Sequence, residues 1–341
     1  MTHKKMLAVY STAHAIVDFS CAFLVYRAMM DSPNLAIALL FYNFCAFALQ
    51  MPFGLLADGW NRNSIVAAVG CGIVAVAYLP FLPAMAGAVI AGIGNGLFHV
   101  GGGLDVLNDS EKKSSALGIF VSPGAFGLYL GGILGRGTGF PLPLPVILLI
   151  VAGTVILLTA HKTYGGLCSL NAPAEAALNR SNLLPVILLT AVVVLRSYMG
   201  FNQTLPWKSQ WHWGLIVTVA LVLGKAAGGF LCDWLDARKA AALSLLLAAV
   251  FYLFSANPLC GTLAVFLFNM TMPITLWAAA RLIPGGKGFA FGLLTFALFL
   301  GYIPSCLGWP SLFAAPWVNA LGAILSAVLL LGGLKKERRK C

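Results

Sequence analysis

The 341-residue chain is predicted to be an all-α polytopic membrane protein, with twelve transmembrane helices in two six-helix bundles. Three observations predict this. First, 60% of the residues are hydrophobic, 9% are charged and the mean hydropathy is +0.92, which excludes an ordinary soluble domain. Second, crossing a bilayer takes about 20 apolar residues, and twelve apolar stretches approach that length, at 6–29, 34–57, 64–83, 86–107, 114–135, 142–160, 183–202, 212–233, 239–255, 258–280, 287–308 and 313–334. Third, a polar turn recurs after half a chain. Gly54-Leu55-Leu56-Ala57-Asp58-Gly59-Trp60-Asn61-Arg62 is echoed by Gly229-Phe230-Leu231-Cys232-Asp233-Trp234-Leu235-Asp236-Ala237-Arg238-Lys239, each with Gly four residues before Asp on one face of a helix end.

The net charge of +11 would suit a nucleic-acid binder, but its distribution points elsewhere. With the N-terminus in the cytoplasm, sixteen of the 21 Lys and Arg fall on the inner side: Lys4, Lys5, Arg62, Lys112, Lys113, Lys162, Arg180, Arg238, Lys239, Arg281, Lys287 and a basic tail of Lys335, Lys336, Arg338, Arg339 and Lys340. Arg27, Arg136 and Lys208 fall outside. This positive-inside bias predicts a multi-pass plasma (inner) membrane protein with both termini cytoplasmic and the tail near lipid headgroups. The N-terminal run reads as a retained first helix, too long for a signal-peptide core. The eight cysteines form no CxxC pair and read as small hydrophobes, neither disulfides nor metal ligands.

In chain order, the first span carries His14 and Asp18, stacked on one face by their spacing of four. A carboxylate at this depth needs a partner or a wet cavity, and the pair is predicted to titrate as one unit and carry a proton. Asn43 and Gln50 in the second span read as interhelical glue, and the third span reads as peripheral. The fourth is glycine-rich around His99 and ends at Asp105. The fifth has Ser122-Pro123-Gly124 followed by Gly127, Gly131 and Gly135, whose spacing makes a smooth groove for a neighbouring helix. The polar stretch 162–182 is predicted to be a cytoplasmic linker between an N-terminal bundle, 1–161, and a C-terminal bundle with its tail, 183–341. Arg196 in the seventh span and Lys225 in the eighth are cations at membrane depth, which suggest an anion to be met. The tenth span offers Asn269 and Thr275 around Pro273, which is expected to kink it. The last two spans look like packing and interfacial residues.

The repeated turns resemble the loop signature of the major facilitator superfamily, with Gly54, Asp58 and Arg62 at its glycine, acid and base. The second copy has Arg238 one place late and Asp236 extra. The fifth-span glycines loosely resemble that superfamily's antiporter motif. A nearer resemblance is to its fosmidomycin-resistance-like transporters. His14-x-x-x-Asp18, Phe98-His99, Arg196-Ser197 followed by Leu205-Pro206, and Met272-Pro273-Ile274-Thr275-Leu276 carry it. The chain departs where that group has Pro-Glu after the histidine, with Val100-Gly101 in place of it. The resemblance implies two bundles around a cavity lined by helices one, four, seven and ten. Alternating access would be gated by Asp58, Arg62, Asp233 and Arg238, with Asp18 and His14 coupling protons.

The expected function is a secondary transporter, proton-coupled and exporting a small organic anion or amphipathic compound as an antiporter. His99, Arg196, Asn269, Thr275 and Lys225 are the expected substrate residues. The chain is expected to be a monomer and no enzyme, with no cofactor, metal or nucleic acid. No GxxxxGK[ST] loop occurs, so the energy would come from a gradient. Uptake or facilitated diffusion of a nutrient anion is the alternative. A non-transporting receptor or assembly factor is the alternative of another class. An intramembrane enzyme using His14, Asp18 and His99 is weaker, for want of an HExxH-type spacing.

Overall fold

The computed structural model describes residues 3–110, 113–164 and 180–334. Most of the expected linker at 162–182, Lys112 and the basic tail lie outside the described residues. Those described form twelve helical rods: α1 (His3–Met29), α2 (Leu35–Trp60), α3 (Asn63–Val76), α4 (Ala84–Asp109), α5 (Ser115–Arg136), α6 (Pro143–Tyr164), α7 (Arg180–Asn202), α8 (Trp211–Leu235), α9 (Ala237–Leu253), α10 (Pro258–Leu282), α11 (Lys287–Cys306) and α12 (Pro316–Gly333). Nine are long and apolar enough to cross a membrane, and α3 and α6 contribute shorter apolar helices. The protein is a multi-pass integral membrane protein.

Helix α3 has 14 residues and stops at Val76, short of the predicted end at 83. Pro80 and Pro83 follow, and a residue before proline is pushed out of the helical region. Proline also breaks three longer rods. A proline lacks the N–H that would bond four residues back, so one carbonyl is released. Before Pro52, α2 runs as π-helix over Phe44–Ala48. Helix α5 is interrupted at Ser122, before Pro123. Helix α10 is interrupted at Met270, next to the Asn269 carbonyl that Pro273 frees.

The rods pack by removing side chains from their contacts. In α5, a Cβ on Gly127, Gly131 or Gly135 would strike the carbonyls of Ala15, Phe19 and Phe23 in α1. The glycine stripe is therefore a close-packing groove for α1. Contacts between the first six rods and the last six run chiefly through α2 against α11 and α5 against α8.

Candidate functional site

A cavity of about 330 Å³ lies where the two sets of rods face each other. Its lining comes from α1, α4, α7 and α10, and also from α2, α5, α8 and α11. Most of the wall is apolar, with Phe47, Phe120, Phe201 and Phe291 among its rings. The polar groups collect on two opposed walls.

One wall belongs to the first six rods. His14 Nε2 lies 3.2 Å from Asp18 Oδ2 within α1, as their spacing requires. His99 of α4 reaches the same point, with its Nε2 2.8 Å from His14 Nε2 and 3.8 Å from Asp18 Oδ1. The other ring nitrogens face carbonyls: His14 Nδ1 is 2.7 Å from Phe120 O, and His99 Nδ1 is 2.9 Å from Asn95 O. Asn95 also donates to Asp18 Oδ1 at 2.8 Å. The break in α5 explains part of this. Irregular backbone at membrane depth must find partners or line a cavity, and here Phe120 and Val121, just before the break, offer their carbonyls to His14 and Lys225. Gly124 makes room, since a Cβ there would fall on His14 Nε2 and Asp18 Oδ2. The donor atoms of His14, Asp18 and His99 all lie within 4.8 Å of one another, close enough to share one cation.

The opposite wall is cationic. Arg196 of α7 is only 8% exposed, and its Nη1 has no hydrogen-bond partner among the described residues. Lys225 of α8 is half-buried, its Nζ 3.4 Å from Val121 O. Asn269 lines the same cavity, with Nδ2 donating back to Val265 O at 2.8 Å. Thr275 does not line it: its hydroxyl is fully buried and donates to Thr271 O at 2.6 Å. It shares the helix but not the face.

No family profile and no curated protein sequence matches the chain. Solved structures do match it along nearly its whole length. A variant of the E. coli fucose:proton symporter FucP aligns with a TM-score of 0.72 at 11% identity, over 96% of this chain and 97% of that one. A structure of FucP in the outward conformation gives 0.66 at 13%, over 96% and 97%. The human organic anion transporter MFSD10 (TETRAN) gives 0.65 at 14%, over 97% of this chain and all of that one. The chain shares the fold of these transporters, of which FucP is a major facilitator superfamily transporter. At such identities the likeness is one of fold, and it does not single out the fosmidomycin-resistance-like subgroup.

Within this fold the two repeated turns play matching parts. Asp58, at the end of α2, accepts the N–H groups of Gly288 at 2.7 Å and Phe289 at 2.8 Å, at the start of α11. Asp233, at the end of α8, accepts those of Ser114 at 2.6 Å and Ser115 at 3.1 Å, at the start of α5. Each acid thus satisfies unpaired N–H groups of a helix in the other half, where the helix dipole also favours a negative charge. The glycine one turn earlier permits the approach: a Cβ on Gly54 would strike Gly288 O, and one on Gly229 would sit 2.8 Å from Ser114 O. Each turn also contains a non-glycine residue at positive φ, Asn61 at 57° and Asp236 at 82°.

The bases behave differently from the acids. Arg62 is exposed and makes no ion pair among the described residues, whereas Arg238 donates to Leu331 O at 2.8 Å and Leu334 O at 2.5 Å, fastening α12. Asp105 lies away from the cavity, where it accepts Tyr10 OH at 2.5 Å and Asn63 Nδ2 at 2.9 Å and ties α1, α3 and α4 together. Asn95, Gly124 and the carbonyls at the α5 break were not anticipated from the sequence, although Pro123 signalled the break.

Proposed function

We propose that the protein is a secondary transporter that moves a small organic anion or amphipathic compound by alternating access, coupled to protons. The observation that carries this is the cavity itself, in which the buried Arg196 of α7 and the half-buried Lys225 of α8 share the lining with the histidine–aspartate cluster of α1 and α4. A guanidinium with a free nitrogen in an apolar cavity is costly unless an anion completes it. The two halves, 1–161 and 183–341, would rock as bundles around this midplane site, with 162–182 as their linker. Arg196, Lys225 and Asn269 would meet the substrate, His99 would stand beside it, and Asp18 with His14 would couple the proton. Asp58 and Asp233 would hold one face closed, with Arg62 and Arg238 at the same turns. Thr275, behind the wall, would support the α10 bend.

Both termini would be cytoplasmic in an inner membrane, and the unit a monomer. The resemblance to fosmidomycin-resistance-like transporters favours export by antiport; uptake of a nutrient anion is the alternative. The fold neighbours include a sugar:proton symporter and an organic anion transporter, which supports transport of a small molecule without choosing between these directions.

The test is a thermal-shift screen of the purified protein over anionic metabolites and antibiotics at two pH values, followed by flux of the hits into proteoliposomes under an imposed pH gradient. Saturable flux that depends on the gradient is expected. A set of anions that neither stabilises the protein nor crosses would overturn the reading and favour a receptor.

A further inference from the structure

His14 presents Nδ1 to Phe120 O, and His99 presents Nδ1 to Asn95 O. A carbonyl only accepts, so both Nδ1 atoms carry hydrogen. If both rings were neutral, both Nε2 atoms would then be bare lone pairs. Those two atoms lie 2.8 Å apart, a hydrogen-bond distance that requires one hydrogen between them. The compensating charge is at hand. Asp18 lies 3.2 Å from one Nε2 and 3.8 Å from the other, and the amide of Asn95 donates to the Oδ1 that faces His99.

We propose that His14 and His99 hold a single proton between their Nε2 atoms, with Asp18 as its counter-charge, and that this proton and an anion on Arg196 and Lys225 bind together. The proposal rests on the reading above that the protein moves an anion coupled to protons; it moves His99 into the proton site and replaces the antiport sense favoured there by co-transport. With the proton present, the cluster is neutral: one imidazolium, one carboxylate. The two cations across the cavity are then free for the substrate. With the proton gone, Asp18 is left as a lone negative charge. It is the one carboxylate among the cavity's lining residues, and it competes with an anion for the same cations. Linkage is reciprocal, so whatever anion favours the proton is itself favoured by it. That is the sense of co-transport, opposite to exchange.

Other groups near the cluster do not alter this balance. Cys21 Sγ, on α1, lies 3.7 Å from Asn95 Nδ2, and Tyr42 is buried on α2; both are neutral at neutral pH. Helix α5 contributes carbonyls and Gly124 but no titratable side chain to the contact.

The experiment uses the full chain with ¹⁵N-labelled histidine in lipid nanodiscs, after metal analysis and treatment with EDTA. His14→Gln and His99→Gln serve to assign the signals. Solid-state NMR of the wild type is expected to show both rings protonated at Nδ1 and a single hydrogen coupled to both Nε2 atoms. Two neutral rings, a ring protonated only at Nε2, or a stoichiometric divalent metal in the purified protein would each overturn the shared proton. Lys225→Met removes one facing cation, so the bridging signal should survive to higher pH than in the wild type; an unchanged or lower limit would overturn the linkage. In proteoliposomes, acid outside should drive inward accumulation of the transported anion, and accumulation driven by alkaline outside would overturn co-transport. A missing bridge with intact flux removes this inference alone. A bridge without any anion flux removes the transport reading and leaves the shared proton standing.

Discussion

On the proposed reading, Arg196 is the residue on which substrate charge turns. Its planar fork suits two parallel hydrogen bonds to a carboxylate or phosphonate, which a lysine's point charge cannot reproduce. Arg196→Lys is therefore expected to weaken binding of an anionic substrate about tenfold or more, the loss of roughly one charge-assisted hydrogen bond, and Arg196→Ala more; equal affinities in an equilibrium binding assay would remove it from the site. Asp18→Asn is expected to abolish gradient-driven accumulation while sparing counterflow, in which labelled and unlabelled substrate exchange without net proton movement. Wild-type accumulation by that variant would sink the proton assignment. Gly124 tests the packing beneath both groups. A methyl there would land on His14 and Asp18, and overpacking of this kind costs about 1–3 kcal/mol. Gly124→Ala should lower the thermal midpoint and impair accumulation together; if neither moves, α5 can step back and the close fit has no consequence.

Helix ends and helix breaks do the positioning. The α5 break supplies carbonyls to the site, and the ends of α2 and α8 cap α11 and α5. An ionised acceptor is worth about 1.5–3 kcal/mol per hydrogen bond, part of which asparagine retains. Asp58→Asn or Asp233→Asn is accordingly expected to shift the open-to-closed ratio of that face by about 1–2 kcal/mol, some 5–30-fold. Faster alkylation of a cysteine placed beneath the capped end would report it, and unchanged alkylation in both variants would end the gating role. Asp236 does a local job at the start of α9, accepting Lys239 N–H at 3.0 Å and lying 3.2 Å from Lys239 Nζ. Slight burial pushes its carboxyl up, but the Lys239 N–H and ammonium outweigh this and hold it below the usual carboxylate range. A depressed folded value means the cap contributes above the ordinary range and is lost as pH falls through the lowered one. The thermal midpoints of wild type and Asp236→Ala should thus differ at neutral pH and converge in acid; a gap independent of pH would assign the effect to the strained φ of 82° instead.

Across the whole molecule, the two sets of six rods meet in two pseudo-equivalent seams, α2 with α11 and α5 with α8, and the cavity lies between them. Each seam is closed at one end by the same device, a glycine followed one turn later by an aspartate that caps a helix across the seam. On the proposed alternating-access reading, equivalent seams would let one half tilt on the other without losing contact along its length. A disulfide engineered between the capped ends, at Gly59 and Lys287 for example, should arrest flux and be reversed by reductant, provided the two sites are first shown to oxidise. Undiminished flux in the oxidised protein would argue against a moving seam.

The rods were legible in the sequence because a bilayer imposes a local rule: each span must be apolar, long and internally hydrogen-bonded. The same rule exposed His14, Asp18, Arg196 and Lys225, since polar groups at that depth stand out in an apolar run. Pro273 told that α10 would bend, again by local geometry, whereas α3 was expected to run to 83 and stops at Val76. Packing settled what lies opposite what. His99 meets His14 across 85 positions, Asp58 reaches Gly288 across 230, and Asp233 reaches Ser114 across 119. None of these pairings has a sequence period, because each depends on how closely two rods approach and how they are rotated. Asn269 and Thr275 differ for the same reason, one turned to the cavity and the other into the wall. Hydropathy and helical period identified the polar groups of α1, α4, α7 and α8, while glycine-mediated contact between rods distant in the chain determined which of them share a cavity.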